Sequence, residues 1–184
     1  ASTRHQPASR TRIAAGNVAG LELAWAFGLP GVTEARSQPV ITADTVFVLT
    51  VPGSVFALDR DTGCIKWQYR APVPLRTALS LGVAAGRPVL YFGDLRAHVT
   101  ALDAATGEPV WRRGVGLFET SALTGAVVPH GDTLFVPLSA ANPEYPCCRS
   151  HGALLALEAS TGAVRWTSPM TPPAQPTGRN AVGV

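Results

Sequence analysis

A motif that occurs three times limits the folds open to this chain more than any other feature of its sequence. Residues 57–67, 101–111 and 156–166 share the pattern Ala-Leu-acid-x-x-Thr-Gly-x-x-x-Trp, and their tryptophans are 44 and 55 residues apart. An earlier tryptophan, Trp25, precedes the Trp67 of the first copy by 42 residues. A period just above forty residues with one tryptophan per unit is typical of β-propeller blades rather than of a helical solenoid.

Each copy of the motif predicts a tight turn between two strands. In the first copy, the apolar residues 55–58 indicate one strand and residues 65–69 indicate the next. The carboxylate of Asp59 can accept hydrogen bonds from the backbone amides that follow, and Gly63 can adopt a positive φ. Two further strands precede each motif, so every repeat predicts a blade of four antiparallel strands ordered from the centre outwards. The expected strands are 76–83, 89–92, 98–103 and 110–113 in the second repeat, and 121–128, 133–138, 153–158 and 164–167 in the third.

We therefore expect an all-β chain that holds about three blades of a β-propeller. A closed ring has about four to eight blades, and an open end leaves strand edges unpaired, so the three blades are interpreted as part of a larger ring. Several three-bladed chains that close one ring together are the alternative. The expected divisions are a polar lead-in (1–20), an orphan outer strand (21–27), three blades (about 36–70, 76–114 and 120–168) and the start of another unit (170–184).

Composition excludes several other classes of protein. Apolar residues make up 46% of the chain and charged residues 15%, which is too hydrophobic and too weakly charged for intrinsic disorder. No apolar run approaches the ~18 residues of a membrane span. The net charge of +3 is carried by scattered arginines, with Lys66 as the only lysine. This scatter argues against a surface that tracks the phosphates of a nucleic acid.

The third repeat carries an insertion between its second and third strands. Its residues 139–152 include the adjacent cysteines Cys147 and Cys148. Neighbouring Cα atoms lie about 3.8 Å apart, below the ~4.4 Å lower limit of ordinary disulfides, so a bond between them closes a strained ring that an oxidising compartment favours. Such a compact, polarizable ring suits stacking against a planar ligand. Two free or metal-binding thiols are the alternative, although zinc would need further ligands at suitable spacing.

The motif and its surroundings resemble the pyrroloquinoline quinone (PQQ)-dependent, or quinoprotein, alcohol dehydrogenases. The resemblance runs over nearly all of residues 15–184 and looks strongest to the polyvinyl-alcohol dehydrogenases of that family. The repeated motif alone also occurs in cofactor-free propellers such as outer-membrane assembly scaffolds, whereas the Cys-Cys pair within a blade is more specific. The segments that carry the resemblance besides the repeats are LAWAFGLPG, RSQP, RTALSLG, VLYFGDLRAHVT, PCCRSHG and TGRNAVGV.

The resemblance implies an eight-bladed periplasmic protein that holds PQQ and a calcium ion in its central channel. Such proteins oxidise alcohols by hydride transfer to the quinone and pass the electrons to a cytochrome c. The implied cofactor contacts are Cys147 and Cys148, as a vicinal disulfide stacked on PQQ, together with Arg76 and Thr124. Both of the latter begin or lie within predicted inner strands, and a guanidinium suits a tricarboxylate such as PQQ. A solvated loop arginine and an ordinary strand threonine are the alternatives.

The resemblance is weaker for the metal. The loop that should supply a calcium ligand offers Asn142 and Glu144, whose oxygens suit calcium, with a merely solvated glutamate as the alternative. His151 stands where relatives tend to have an arginine.

No catalytic residue is predicted in this chain. The family's catalytic aspartate belongs to a later blade, and the motif acids Asp59, Asp103 and Glu158 are interpreted as turn residues. We therefore expect a periplasmic or secreted quinoprotein fragment that is inactive alone, with alcohol, cytochrome c and the remaining blades as partners. A cofactor-free scaffold that binds other proteins is the alternative function.

Overall fold

The computed structural model describes residues 11–29, 31–33, 36–140 and 150–172. These residues form three antiparallel sheets, each built from four consecutive strands that pair in chain order. A 3-10 turn, Val18–Gly20, precedes them. The strands are β1 (Val40–Ile41), β2 (Thr45–Leu49), β3 (Ser54–Asp59) and β4 (Ile65–Arg70) in the first sheet; β5 (Ser80–Ala84), β6 (Arg87–Gly93), β7 (His98–Asp103) and β8 (Pro109–Gly114) in the second; β9 (Val128–His130), β10 (Thr133–Leu138), β11 (Ala153–Glu158) and β12 (Val164–Pro169) in the third.

The predicted all-β class and the three four-stranded blades are confirmed. The first strands of the second and third sheets lie side by side, and a Cβ on Gly82 of β5 would be 2.8 Å from the Pro129 ring of β9. This close approach shows that the sheets converge at their first strands. The order from the centre outwards is therefore as the repeat predicts.

The two inner strands β5 and β9 begin later than the sequence predicts. We expected them from residues 76 and 121, yet they start at Ser80 and Val128. In both cases the preceding residues are hydrogen-bonded elsewhere: Thr77 bonds through its side chain, and Leu123 bonds to the neighbouring sheet. Only isolated bridges remain where the ladder was expected.

The repeated motif forms a turn at the end of each third strand, as predicted. The Asp59 carboxylate accepts hydrogen bonds from the backbone N–H groups of Asp61 and Thr62 at 3.1 and 2.9 Å. Asp103 does the same in the second sheet, and Glu158 accepts from the Thr161 hydroxyl in the third. The interpretation of the three acids as turn residues is confirmed.

The tryptophan that precedes each motif in the sequence packs against the backbone of the motif glycine, which has no side chain. A Cβ on any of these glycines would lie 2.6–2.7 Å from the indole ring, so only glycine fits. Each indole N–H also donates to a backbone carbonyl of the same turn, at 2.8–3.2 Å. Two of these contacts join consecutive sheets, and that of Trp25 joins residues 21–27 to the first sheet. The pairs are Trp25 on Gly63, Trp67 on Gly107 and Trp111 on Gly162.

Residues 21–27, expected as an orphan outer strand, form no strand. A strand needs a neighbour that pairs with its backbone, and no described strand lies alongside this segment. Its side chains hold it instead: Trp25 packs on the first motif turn, and Phe27 lies 5.3 Å from Phe56, ring centre to ring centre.

The second sheet buries both of its faces, which explains the continuous apolar run of β6. Side chains of a strand alternate between faces. Val89 and Tyr91 belong to the core between the second and third sheets, and Leu90 and Phe92 to the core between the first and second. The low charged fraction of the chain follows from this two-sided packing.

Gly107→Ala is expected to destabilise the protein more than Gly86→Ala, although the two glycines have φ values of 76° and 75°. A Cβ at Gly107 would meet Trp67 at 2.6 Å, whereas nothing lies within 4 Å of one at Gly86. Left-handed backbone strain costs both variants about 1–2 kcal/mol. The overlap adds about 1–3 kcal/mol to Gly107→Ala alone. Urea denaturation of both variants measures the difference, and equal losses would contradict this role of Trp67.

We expect the free energy of unfolding to fall as the pH rises from about 10 to about 12, because the contribution of Tyr91 is lost in this range. Its hydroxyl donates to the Ala159 carbonyl oxygen at 3.1 Å, and burial raises the pKa of Tyr91 from 10.0 to about 12. Because the folded pKa is raised, the stabilisation is complete below the unfolded pKa and is lost as the pH rises through the folded value. Thermal melts should show that Tyr91→Phe lacks this alkaline loss, at a cost of about 1 kcal/mol at neutral pH. An unchanged alkaline slope in the variant would contradict the assignment.

Candidate functional site

The candidate site lies where the β6–β7 and β10–β11 loops and the connectors between sheets meet. In antiparallel sheets of this order, these segments share one end of the strands, which we call the loop end. The motif turns lie at the opposite end. The predicted residues Arg76 and Thr124 both belong to the loop end, in connectors rather than in the inner strands where the sequence placed them.

Arg76 is exposed, and it lies between two side chains that are fully buried. One of these, Leu75, forms an isolated bridge with Asp94. The other, Thr77, accepts a hydrogen bond from the Gly93 N–H at 2.9 Å and donates to the Gly93 carbonyl oxygen at 3.2 Å. The backbone of Arg76 is therefore fixed on both sides while its guanidinium remains in solvent.

Thr124 is linked to the same two residues through its neighbour in the connector before the third sheet. Leu123, its fully buried neighbour, donates its backbone N–H to the Asp94 carbonyl oxygen at 3.1 Å. A Cβ on Gly93 would lie 2.6 Å from the Leu123 side chain. Thr124 itself is exposed and donates to the Ser139 hydroxyl at 3.3 Å. The structure thus brings Arg76 and Thr124 to opposite sides of Gly93 and Asp94.

Asp94 is a buried carboxylate that the sequence interpretation did not single out. Its Oδ2 pairs with the Arg112 guanidinium at 2.7 Å, and its Oδ1 accepts the backbone N–H groups of Arg96 and His98 at 2.9 and 3.0 Å. A carboxylate this deeply buried is stable only with such partners. An acid directly after an apolar strand, in a chain poor in charge, was the available signal for it.

His151 lies near the C-terminal end of the insertion of the third repeat. Its ring makes an edge contact with Phe118 at 5.0 Å between ring centres, and its buried Nδ1 has no hydrogen-bond partner among the described residues. The predicted cofactor contacts Cys147 and Cys148 lie outside the described residues. The predicted calcium ligands Asn142 and Glu144 lie outside them too.

The described part of the chain contains no group of three or more His, Cys, Asp or Glu side chains that could hold a metal ion. A calcium site on Asn142 and Glu144 therefore stays a prediction. One cavity, of about 370 Å³, opens between residues 27–32 and the first sheet and includes neither Arg76 nor Thr124 in its lining.

Comparison with known proteins identifies the family. The family model PQQ_2, which is described as outer membrane protein assembly factor BamB, matches residues 9–182. The chain belongs to this family. Polyvinylalcohol dehydrogenase of a Pseudomonas species is 34% identical over 175 residues, which cover 90% of this chain and 27% of that protein. Quinohemoprotein alcohol dehydrogenase of Comamonas testosteroni is 28% identical, with coverage of 84% and 22%.

Solved structures agree with these sequence relatives. A europium-containing methanol dehydrogenase aligns with a TM-score of 0.72 at 26% identity, over 88% of this chain and 29% of the other. The quinohemoprotein alcohol dehydrogenase from Comamonas testosteroni aligns with a TM-score of 0.73 at 25% identity, over 86% and 24%. The predicted resemblance and the partial propeller are therefore confirmed. The chain spans about a quarter of the length of the family members it matches.

The side chains at the loop end fit a ligand that carries carboxylates. Arg112 and Arg87 are paired with the acids Asp94 and Asp103, whereas Arg76 has no ion-pair or hydrogen-bond partner in the described ranges. An unpaired guanidinium can bind a carboxylate in a bidentate manner, and a nearby hydroxyl can donate one further bond. Arg76 and Thr124 are thus suited to PQQ.

The part of the chain that the structure describes contains no helix with the length and hydrophobicity of a transmembrane span.

Proposed function

We propose that this chain is part of a periplasmic or secreted quinoprotein that oxidises secondary or polymeric alcohols. The proposal is supported by the similarity to polyvinylalcohol dehydrogenase over 90% of the chain. The observation that carries it is that the connectors bearing Arg76 and Thr124 both attach to Gly93 and Asp94, while the Arg76 guanidinium has no partner among the described residues. The remaining blades of the ring would supply the catalytic base, and a cytochrome c would accept the electrons.

Each residue has a defined task in this proposal. Arg76 binds a carboxylate of PQQ, and Thr124 donates its hydroxyl proton to an oxygen of the cofactor. Cys147 and Cys148 would form a disulfide on which the planar ring system could stack. When bound, PQQ supplies the quinone that accepts a hydride from the alcohol. The tasks of this chain are to bind and orient the cofactor.

Calcium belongs to the same proposal at a second set of residues. Asn142 and Glu144 would provide oxygen ligands, the donor type that calcium prefers. Loading the full-length protein with PQQ in the presence and absence of calcium tests them. Glu144→Gln is expected to bind calcium more weakly and so to need a higher calcium concentration for activity, with PQQ still bound.

A cofactor-free scaffold is the second candidate function. The description of the matching family model favours it, and BamB from Moraxella catarrhalis aligns with a TM-score of 0.51 at 21% identity, which shows the shared fold. A scaffold would bind other proteins through loops and strand edges, and would need neither PQQ nor the cysteine pair.

Reconstitution of the full-length protein separates the two functions. With PQQ, calcium and an artificial dye acceptor, we expect dye reduction with secondary alcohols, and replacement of both Cys147 and Cys148 by serine should abolish most of it. Cys64→Ser, an exposed thiol at the first motif turn, is the control and should retain activity. Failure to reduce dye with any alcohol, together with intact partner binding in the double serine variant, would favour the scaffold.

A further inference from the structure

We propose that Gly93 and Asp94, which we call the anchor, hold Arg76 and Thr124 as one rigid unit. The inference rests on the proposed function, since it explains how the two cofactor contacts keep a fixed relation to each other. The anchor lies at the end of β6, in the second sheet. Arg76 approaches it from the connector after the first sheet, and Thr124 from the connector before the third.

The attachment on the Arg76 side is made through Thr77. Its hydroxyl satisfies both backbone groups of Gly93, at 2.9 and 3.2 Å, so it replaces one rung of a β-ladder. One residue further along, the Leu95 N–H donates to the Pro74 carbonyl oxygen at 3.2 Å. Arg76 is thus bracketed by contacts to residues on both sides of Asp94.

The attachment on the Thr124 side is made through Leu123. Its backbone N–H bonds to the Asp94 carbonyl oxygen, and its side chain fills the space that a Cβ on Gly93 would occupy. A glycine at position 93 is required by this approach and not by its backbone conformation, because its φ is not positive. The two flanking connectors therefore meet at one pair of residues.

The anchor itself is held rigid by charge. The Asp94 carboxylate is paired with Arg112 and bonded to two backbone N–H groups within its own loop. Because the Asp94 carboxylate is buried, moving it away from Arg112 and from these N–H groups would leave a buried charge unpaired, which is costly. Thr77 and Asp94 are consequently positioning residues, which act on the cofactor through Arg76 and Thr124.

Thr77→Val tests the inference, and the chain offers a matched control. Thr50, which directly follows β2, is also buried, and its hydroxyl likewise accepts from the Ser54 N–H at 3.0 Å and donates to the Ser54 carbonyl oxygen at 3.2 Å. Both valine variants lose the same two bonds, but only Thr77 contacts the anchor. In the full-length protein, Thr77→Val should weaken PQQ binding about tenfold, while Thr50→Val leaves it within about twofold.

A second readout does not depend on the cofactor. Amide hydrogen exchange at Leu123 should become faster in Thr77→Val, although Thr77 and Leu123 lie on opposite sides of the anchor, and should stay unchanged in Thr50→Val. Thr77→Ser, which keeps the hydroxyl, should restore both the exchange rate and PQQ binding. If Thr77→Val does not fold, Gly93→Ala disturbs the anchor from the Leu123 side, with faster exchange at Leu95 as the expected result and Gly114→Ala as its control.

The possible outcomes separate the inference from the proposed function. Unchanged exchange across the anchor overturns the inference, whatever happens to PQQ binding. Equal PQQ affinities in Thr77→Val and Thr50→Val also overturn it. If the wild-type protein does not bind PQQ at all, the proposed function fails, and the exchange at Leu123 alone decides whether the anchor couples the two connectors.

Discussion

Trp111→Ala should destabilise the 184-residue chain by about 2–4 kcal/mol, somewhat less than the ~3–5 kcal/mol measured for a fully buried large aromatic side chain, because its indole is only partly buried. The indole packs on Gly162 and lies 6.0 Å from the Tyr91 ring, centre to centre. Its N–H also donates to the Ala159 carbonyl oxygen at 3.1 Å. The variant loses the ring contact within the second sheet and both contacts with the motif turn of the third sheet.

Trp166→Ala is the matched control because Trp166 occupies the same motif position in the third sheet. Its side chain is 44% exposed and no described glycine turn covers it, although it lies 6.1 Å from Phe135 between ring centres. We expect a loss below about 1 kcal/mol for this variant, as for other exposed substitutions. Urea unfolding followed by circular dichroism compares the two. Equal losses would show that contact with the neighbouring motif turn contributes nothing.

Arg76→Ala should raise the Kd for PQQ about 10- to 100-fold in the full-length protein, because a hydrogen-bonded charge pair contributes about 1.5–3 kcal/mol. The melting temperature should not change, since the side chain is exposed and bonds to no described residue. Arg76→Lys should give an intermediate Kd because it keeps the charge but loses the planar fork. Equilibrium titration with PQQ, followed by tryptophan fluorescence, measures all three proteins.

Arg60→Ala controls for the loss of one positive charge. Arg60 lies in the first motif turn, at the end of the sheets opposite Arg76, and its side chain pairs with the exposed Asp61. We expect its Kd for PQQ to match that of the wild type. A similar weakening in both alanine variants would point to general electrostatic attraction, and an unchanged Kd in Arg76→Ala would remove Arg76 from the cofactor site.

Local sequence predicts the blades well because their turns are local. The motif acid and glycine close a turn within five residues, and β7, β10 and β11 have the bounds that the sequence predicts. The starts of β5 and β9 could not be predicted in this way. Thr77 and Leu123 bond to residues of the second sheet, and this competition with the ladder is visible only once the sheets are assembled.

The sequence predicts which residues belong to the candidate site but not how they are arranged in space. The resemblance supplies Arg76 and Thr124, which are 48 positions apart in the sequence. Their neighbours Leu75 and Leu123 both contact Asp94, and this depends on how three sheets meet. Asp94 looks like an ordinary turn acid until its burial and its Arg112 partner are seen. The contributions of Cys147, Cys148, Asn142 and Glu144 stay predictions.

The tryptophan contacts give the assembly of the sheets a direction. The three indole hydrogen bonds join residues 35, 37 and 48 positions apart, and in each the tryptophan comes first. During synthesis from the N-terminus, the indoles of Trp25, Trp67 and Trp111 each stay uncovered until the motif turn of the following sheet emerges. Each motif turn forms from residues close together in the sequence and can bind the exposed indole as soon as the turn emerges. In a free chain, the same contact between indole and turn joins residues far apart in the sequence and forms slowly. A growing chain would then expose one such indole at a time.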